Sequence, residues 1–229
     1  FFHDTVNDPR YQRGVNRCFL NYLDAVAATF ADQVILFSKR DKGFPNVRHY
    51  FCPSRYMNYP LIARGRPAVD NWYGTFLANK FGAVYYSPYY GNLKSKIPQI
   101  FSVHDMTHER FPNHFHNQLD FEFINQKKDC LHRAEALLCV SNNTKNDVLD
   151  IYPQIARDKV TVIYNGIEDV FFTKPVESQQ NRPYFLFVGN RKKYKNFPLL
   201  LTSYKNSVLS KYFDLRIISP TNDFPTEEE

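Results

Sequence analysis

Between Ala134 and Asn196 the chain passes through an apolar run (AEALLCVS), a short polar segment, a second run (VTVIYNG), a Pro-containing linker, and a third run, YFLFVGN, that enters the basic loop RKKYKN. Short apolar runs bounded by turn residues are the pattern of strands buried on both faces, and helical segments between them make the strands parallel. The order implies the last βαβ unit of one nucleotide-binding-type domain, followed by the opening phosphate loop of another. Few folds accommodate that succession.

With 229 residues, 43% of them hydrophobic, the chain can bury a sizeable core, and its length allows one or two domains. No run approaches the roughly 20 apolar residues of a membrane-spanning helix, and the N-terminal residues lack the order of a signal peptide. The expected location is the cytoplasm. Cys18, Cys52, Cys130 and Cys139 are scattered, with no CxxC pair, and are read as small reduced core residues. A net charge of +6 fits a polyanionic partner: nucleic acid, an anionic membrane surface or a nucleotide phosphate. The basic residues are dispersed apart from Arg191, Lys192, Lys193 and Lys195, which is not the basic stripe of a dedicated nucleic-acid binder.

Val15, Phe19, Leu23, Val26 and Phe30 recur at helical spacing behind Gly14. QVILFS (33–38) and VRHYF (47–51) read as strands joined by a charged, Gly- and Pro-containing turn, and residues 69–81 as a helix. AVYYS (83–87) and IPQIFSV (97–103) read as strands, 115–133 as a helix with Phe115, Leu119, Phe123, Lys127 and Leu131 four apart, then strand, helix 142–151 and strand. Alternation of this kind predicts an α/β fold with a doubly wound parallel sheet. The predicted domains are 1–165, lacking its opening strand, a linker 166–183, and 184–229 as the truncated start of a second Rossmann-like domain. On this reading the chain is a piece of a longer protein.

Ligands of βαβ folds bind beyond the carboxyl ends of strands, where backbone amides and a helix N-terminus favour an anion. Gly189 lets the backbone approach closely there, and Arg191 and Lys195 add charge, Arg with a fork that grips phosphate twice. A solvated basic loop is the plain alternative. His104 follows IPQIFSV and lands at the same kind of edge, able to donate to a sugar hydroxyl or stabilise developing charge. Asp105 either fixes its tautomer or caps the next turn; a packed loop histidine is the plain reading. His108, His114 and His116 match no metal-binding spacing, and no metal or other cofactor is expected. Ser141 is a helix cap. GxSxG, P-loop and GxGxxG patterns are missing, which weighs against hydrolase, P-loop kinase and ordinary NAD chemistry.

QRGVNRCFLNYL, SVHDMTHERFP, AEALLCVSNNTKNDV, KVTVIYNGIEDVF and YFLFVGNRKKYKNFPLLL together resemble successive landmarks of family 4 glycosyltransferases. The resemblance implies a GT-B architecture of two Rossmann-like domains, the acceptor held mainly by the first and the nucleotide-sugar by the second. It implies transfer of a hexose, of mannose or glucose type, from a GDP- or UDP-linked donor to a glycan or lipid-linked saccharide, with retention and without a metal. By position Gly14 matches the glycine of the loop near the donor phosphates, His104 the histidine that contacts the donor sugar, and Arg191 and Lys195 the basic pair at the diphosphate. The family's glutamate pair has no match in this chain, so the chain alone is expected not to catalyse transfer, and Arg13-Gly14 stands where many members carry two glycines.

Two other readings stay open: a GT-B nucleotide-sugar epimerase, and a noncatalytic module that binds a polyanion or partners a transferase. Peripheral contact with the inner membrane face is compatible with the basic and aromatic residues, although no dedicated amphipathic anchor is present.

Overall fold

The computed structural model describes residues 2–3, 14–38, 47–53, 66–91, 93, 95–115, 117–167, 172–173, 182–191 and 193–219. The chain divides into two compact units, residues 1–110 with 115–167, and residues 168–229 with 111–114.

In the first unit the elements run β1 (Phe2–His3), α1 (Gly14–Phe30), β2 (Ile35–Ser38), β3 (Arg48–Phe51), α2 (Arg66–Phe81), β4 (Tyr85–Ser87), β5 (Gln99–Val103), α3 (Thr107–Arg110), α4 (Gln118–Arg133), β6 (Ala136–Cys139), α5 (Asn142–Ile151) and β7 (Val160–Val162). The strands form one sheet in the order β3-β2-β1-β4-β5-β6-β7, and every pair is parallel. Strand order reverses between β1 and β4, which creates the crevice where doubly wound sheets hold ligands.

Alternate residues of each strand face opposite ways, and the core is split accordingly. Ile35, Phe37, Tyr85, Phe101, Val103, Leu137 and Cys139 pack on one face with Leu77 of α2, Leu131 of α4 and Val148 of α5. Leu36 and Tyr86 point the other way, onto Phe19 and Leu23 of α1. Because both faces are covered, the strands contain almost no exposed position, which is why they appear in the sequence as unbroken apolar runs.

Two expectations need correction. An opening strand is present: the two residues of β1 pair with both β2 and β4 at the centre of the sheet, too short a segment to show as a run. β2 and β3 pair in parallel, Ile35 opposite Arg48 and Ser38 opposite Phe51, as a doubly wound sheet requires. The helix expected from 115 begins at Gln118, because Asn117 accepts from the Asp120 backbone amide while the Asp120 side chain accepts from that of Asn117, a reciprocal cap that fixes the start. Residues 112–114 form a separate 3₁₀ turn.

The second unit contains β8 (Tyr184–Val188), α6 (Phe197–Asn206) and β9 (Asp214–Ile218), with β8 and β9 parallel. Phe187 packs on Phe197 at 5.0 Å between ring centres and Phe185 on Phe213 at 4.9 Å. Among the described residues no helix is long and apolar enough to cross a membrane. All four cysteines are buried thiols; desolvation pushes Cys130 up to about 12 and Cys139 up to about 11, so neither is a ready nucleophile. Lys192, His116, Arg13 and the acidic tail from 220 onward lie outside the described residues.

Candidate functional site

Three segments meet at the carboxyl edge of the seven-stranded sheet. α1 starts at Gly14, and its second turn is tied to the loop after β7 by a bond from the Cys18 thiol to Asn165 Oδ1, 2.8 Å. The segment after β4 is anchored from below: Tyr85 Oη donates to the Gly91 carbonyl at 2.9 Å, and Ser87 Oγ bonds the Tyr89 carbonyl. The turn after β5 carries His104.

His104 Nε2 lies 2.8 Å from the Pro88 carbonyl. A carbonyl only accepts, so Nε2 carries the proton and the neutral ring presents Nδ1 as its acceptor. Burial pushes the imidazole below the ordinary histidine value, with the nearby Lys127 ammonium adding to that effect; the Pro88 carbonyl and Asp105 oppose it. The ring is therefore neutral at pH 7. This corrects the expected donor role: the Nε2 proton is committed to the protein, and the ring can accept a hydrogen bond from a hydroxyl. Asp105 does not orient the ring either. Its Oδ1 accepts from the Thr107 amide at 3.0 Å, which is the turn-capping alternative.

Behind the turn lie groups that pattern reading missed. Lys127 is 1% exposed, although the four-residue stripe places it on a face expected to be aromatic, and Leu119 of that stripe is 74% exposed. The ammonium donates to the Asp105 carbonyl at 2.6 Å and to Glu109 Oε2 at 2.9 Å. A charged residue at a core register of an amphipathic helix is the one signal that marks it in the sequence. Tyr89, whose ring centre is 6.3 Å from that of His104, had no signal at all. Ser141 caps α5 as expected, accepting from the Thr144 amide, and Thr144 Oγ1 donates to the His104 carbonyl at 3.4 Å.

In the second unit Gly189, Arg191 and Lys195 follow β8. Gly189 has φ +142°, a conformation that a Cβ disfavours, and its amide donates to the Ile218 carbonyl at 2.9 Å. The Arg191 guanidinium lies 5.3 Å from the Phe197 ring centre at the start of α6, and the Lys195 ammonium 5.1 Å from that of Tyr194. The structure thus brings Gly14 and His104 to the carboxyl edge of one sheet, and Gly189, Arg191 and Lys195 to that of the other. His108 lies against Phe115 at 4.0 Å and Phe123 at 4.7 Å, and among the described residues no group of His, Cys, Asp or Glu is poised for a metal.

A separate cavity of about 740 Å³ lies between α1 and the sheet, lined by Tyr22, Val26, Phe30, Val84, Ile100 and Leu138. Its lining is mainly apolar and contains none of the candidate residues.

The two units have the fold of the GT-B glycosyltransferases. The apo structure of the lipopolysaccharide outer core galactosyltransferase WaaB matches with a TM-score of 0.55 at 13% identity, over 97% of this chain and 61% of that one. The chain therefore spans about three fifths of the length of that protein. Residues 12–170 match the family described as Glycosyltransferase Family 4, and the chain belongs to that family. No curated protein matches it at a significant level.

Proposed function

We propose that the protein transfers a hexose from a nucleotide-diphosphate sugar to a glycan or lipid-linked saccharide, with retention of configuration. Family 4 membership across residues 12–170 carries this reading. The residues supply matching chemistry. A neutral His104 with Nε2–H held by Pro88 accepts a hydroxyl of the donor sugar at Nδ1 and orients it. Charge grows on the diphosphate as the glycosidic bond breaks, and Arg191, Lys195 and backbone amides near Gly189 are the groups to neutralise it, so the step requires no metal. The Arg191 fork, backed by the Phe197 ring, offers paired hydrogen bonds to phosphate oxygens.

Gly14, at the start of a 17-residue helix, offers backbone amides and the positive end of α1 to a donor phosphate. Four buried thiols suit a reducing compartment, and we place the activity in the cytoplasm, with peripheral contact at an anionic membrane surface when the acceptor is lipid-linked. Calorimetric titration of the full-length protein with GDP and with UDP, followed by assays of GDP-mannose, UDP-glucose and UDP-galactose hydrolysis, tests the reading. Selective binding of one nucleotide with slow release of its sugar is the expected result. A folded protein that binds neither nucleotide overturns it.

A further inference from the structure

We infer that Lys127 is a positioning residue for His104, holding the turn after β5 and the segment after β4 in register from helix α4. This rests on the reading of His104 as the group that faces the donor sugar. Three bonds from two adjacent helical residues carry it. Gln126 Nε2 donates to the Tyr90 carbonyl at 2.6 Å, Lys127 Nζ to the Asp105 carbonyl at 2.6 Å, and Lys127 Nζ to Glu109 Oε2 at 2.9 Å. The first grips the segment that presents the Pro88 carbonyl, the second the residue after His104, and the third helix α3 beyond it. Lys127 also lies over the Tyr90 ring, 5.4 Å from its centre. His104 itself closes the loop through its bond to Pro88.

The energetics support a positional rather than a stabilising role. The Lys127 and Glu109 side chains are 1% and 6% exposed, and dehydrating two ions offsets most of their mutual attraction. An apolar pair of similar volume would hold the same elements together without that penalty. What the ion pair supplies is a fixed donor aimed at one carbonyl, that of the residue next to His104.

The groups facing His104 are Tyr89 after β4, Asp105 beside it and Lys127 on α4, with the uncharged Thr144 from α5; Tyr90, and His108 and Glu109 on α3, face Lys127 in turn. Removing the ammonium and removing its counter-charge must therefore move the imidazole in opposite directions. The test is NMR titration of the His104 ring in Lys127→Met and Glu109→Gln of the full-length protein, with kcat and KM for donor turnover measured alongside. In Lys127→Met the His104 pKa rises toward the ordinary value and its ring resonances shift; in Glu109→Gln, which keeps volume and hydrogen bonding, the pKa falls further. Turnover drops about 10- to 100-fold in Lys127→Met, mainly in kcat, and Lys127→Arg recovers part of it.

Wild-type titration in a folded Lys127→Met overturns the inference, as do shifts of the same sign in both variants. If Lys127→Met does not fold, a wild-type His104 titration in Glu109→Gln overturns it equally. If the titrations shift in opposite directions while turnover stays at the wild-type level, the positioning role stands, and it is the donor-site reading of His104 that fails.

Discussion

The turn after β5 and the loop after β8 occupy corresponding places at the carboxyl edges of their sheets, yet they are held in different ways. His104 is fixed by tertiary bonds: its ring to Pro88, its carbonyl to Thr144, and its neighbour's carbonyl to a buried ammonium. Arg191 and Lys195 are placed locally, by a glycine at positive φ and by aromatic rings on the same loop and the helix it enters. The first arrangement suits orientation of one neutral group. The second suits capture of charge, where position tolerates more variation because Coulomb attraction falls off slowly with distance.

The difference extends to the cores beneath. Phe101 is 0% exposed and meets Tyr85 edge-on at 6.1 Å, whereas Phe185 of β8 is 41% exposed. Phe101→Ala is expected to destabilise the first unit by about 3–5 kcal/mol through lost burial and a cavity. Phe185→Ala is expected to cost about 1 kcal/mol, because much of that ring already meets water in this chain. Urea midpoints of the two variants, read with tryptophan fluorescence and far-UV circular dichroism, check the contrast; equal losses would break it.

Next in size is the split between orientation and capture. His104→Ala should lower kcat about 100-fold while nucleotide-diphosphate affinity stays within about twofold. Arg191→Ala should instead weaken nucleotide-diphosphate binding about 10- to 100-fold, the loss of a charge-assisted bond or two, and flatten its salt dependence. Calorimetry at two ionic strengths separates them. If both variants lose affinity equally, the division of labour between the two loops is wrong.

How far the sequence exposes these features follows from their range. The parallel strands are legible because burial on both faces leaves them predominantly apolar: IPQIFSV and ALLCV need no partner to be recognised. The basic loop after Gly189 is legible because the rings beside Arg191 and Lys195 lie within ten residues of it, although the bond that holds the Gly189 amide comes from Ile218 on the neighbouring strand. The His104 site is only half legible. Its place at a strand end is visible, but the commitment of its Nε2 proton depends on β4 and β5 lying side by side, and Lys127 depends on Glu109, 18 residues earlier, across a loop and a helix start. β1 is invisible because two residues carry no period.

The imidazole offers a pH test of the same contrast. Its folded pKa lies below the unfolded value of 6.5 because burial disfavours the cation. The unfolded chain thus binds more protons between the two values, so stability from this group is complete above about pH 6.5 and is lost as pH falls through the folded pKa. His108 shifts in the same direction from burial and adds to the trend. Donor turnover should show an acid limb below the ordinary histidine range, because protonation removes the Nδ1 acceptor, while diphosphate binding through Arg191 stays flat there. A binding profile that falls along the same limb would break the assignment of diphosphate capture to Arg191.

The smallest expected effect concerns the helix starts that follow β6 and β8. Ser141 sits in extended conformation and its Oγ accepts from the Thr144 amide at 3.1 Å, satisfying one of the free donors of α5. Asn196 starts α6 with φ 51° and ψ 38°, and its side chain makes no capping bond. Ser141→Ala should therefore cost about 1 kcal/mol. Asn196→Gly should stay within about 0.5 kcal/mol of wild type, because glycine adopts the left-handed conformation without strain and roughly offsets that gain by the freedom it adds to the unfolded chain. Thermal midpoints of the two variants settle the matter. An Asn196→Gly loss as large as that of Ser141→Ala would mean that the Asn196 side chain, like the buried bonds behind His104, is part of what holds its loop in place.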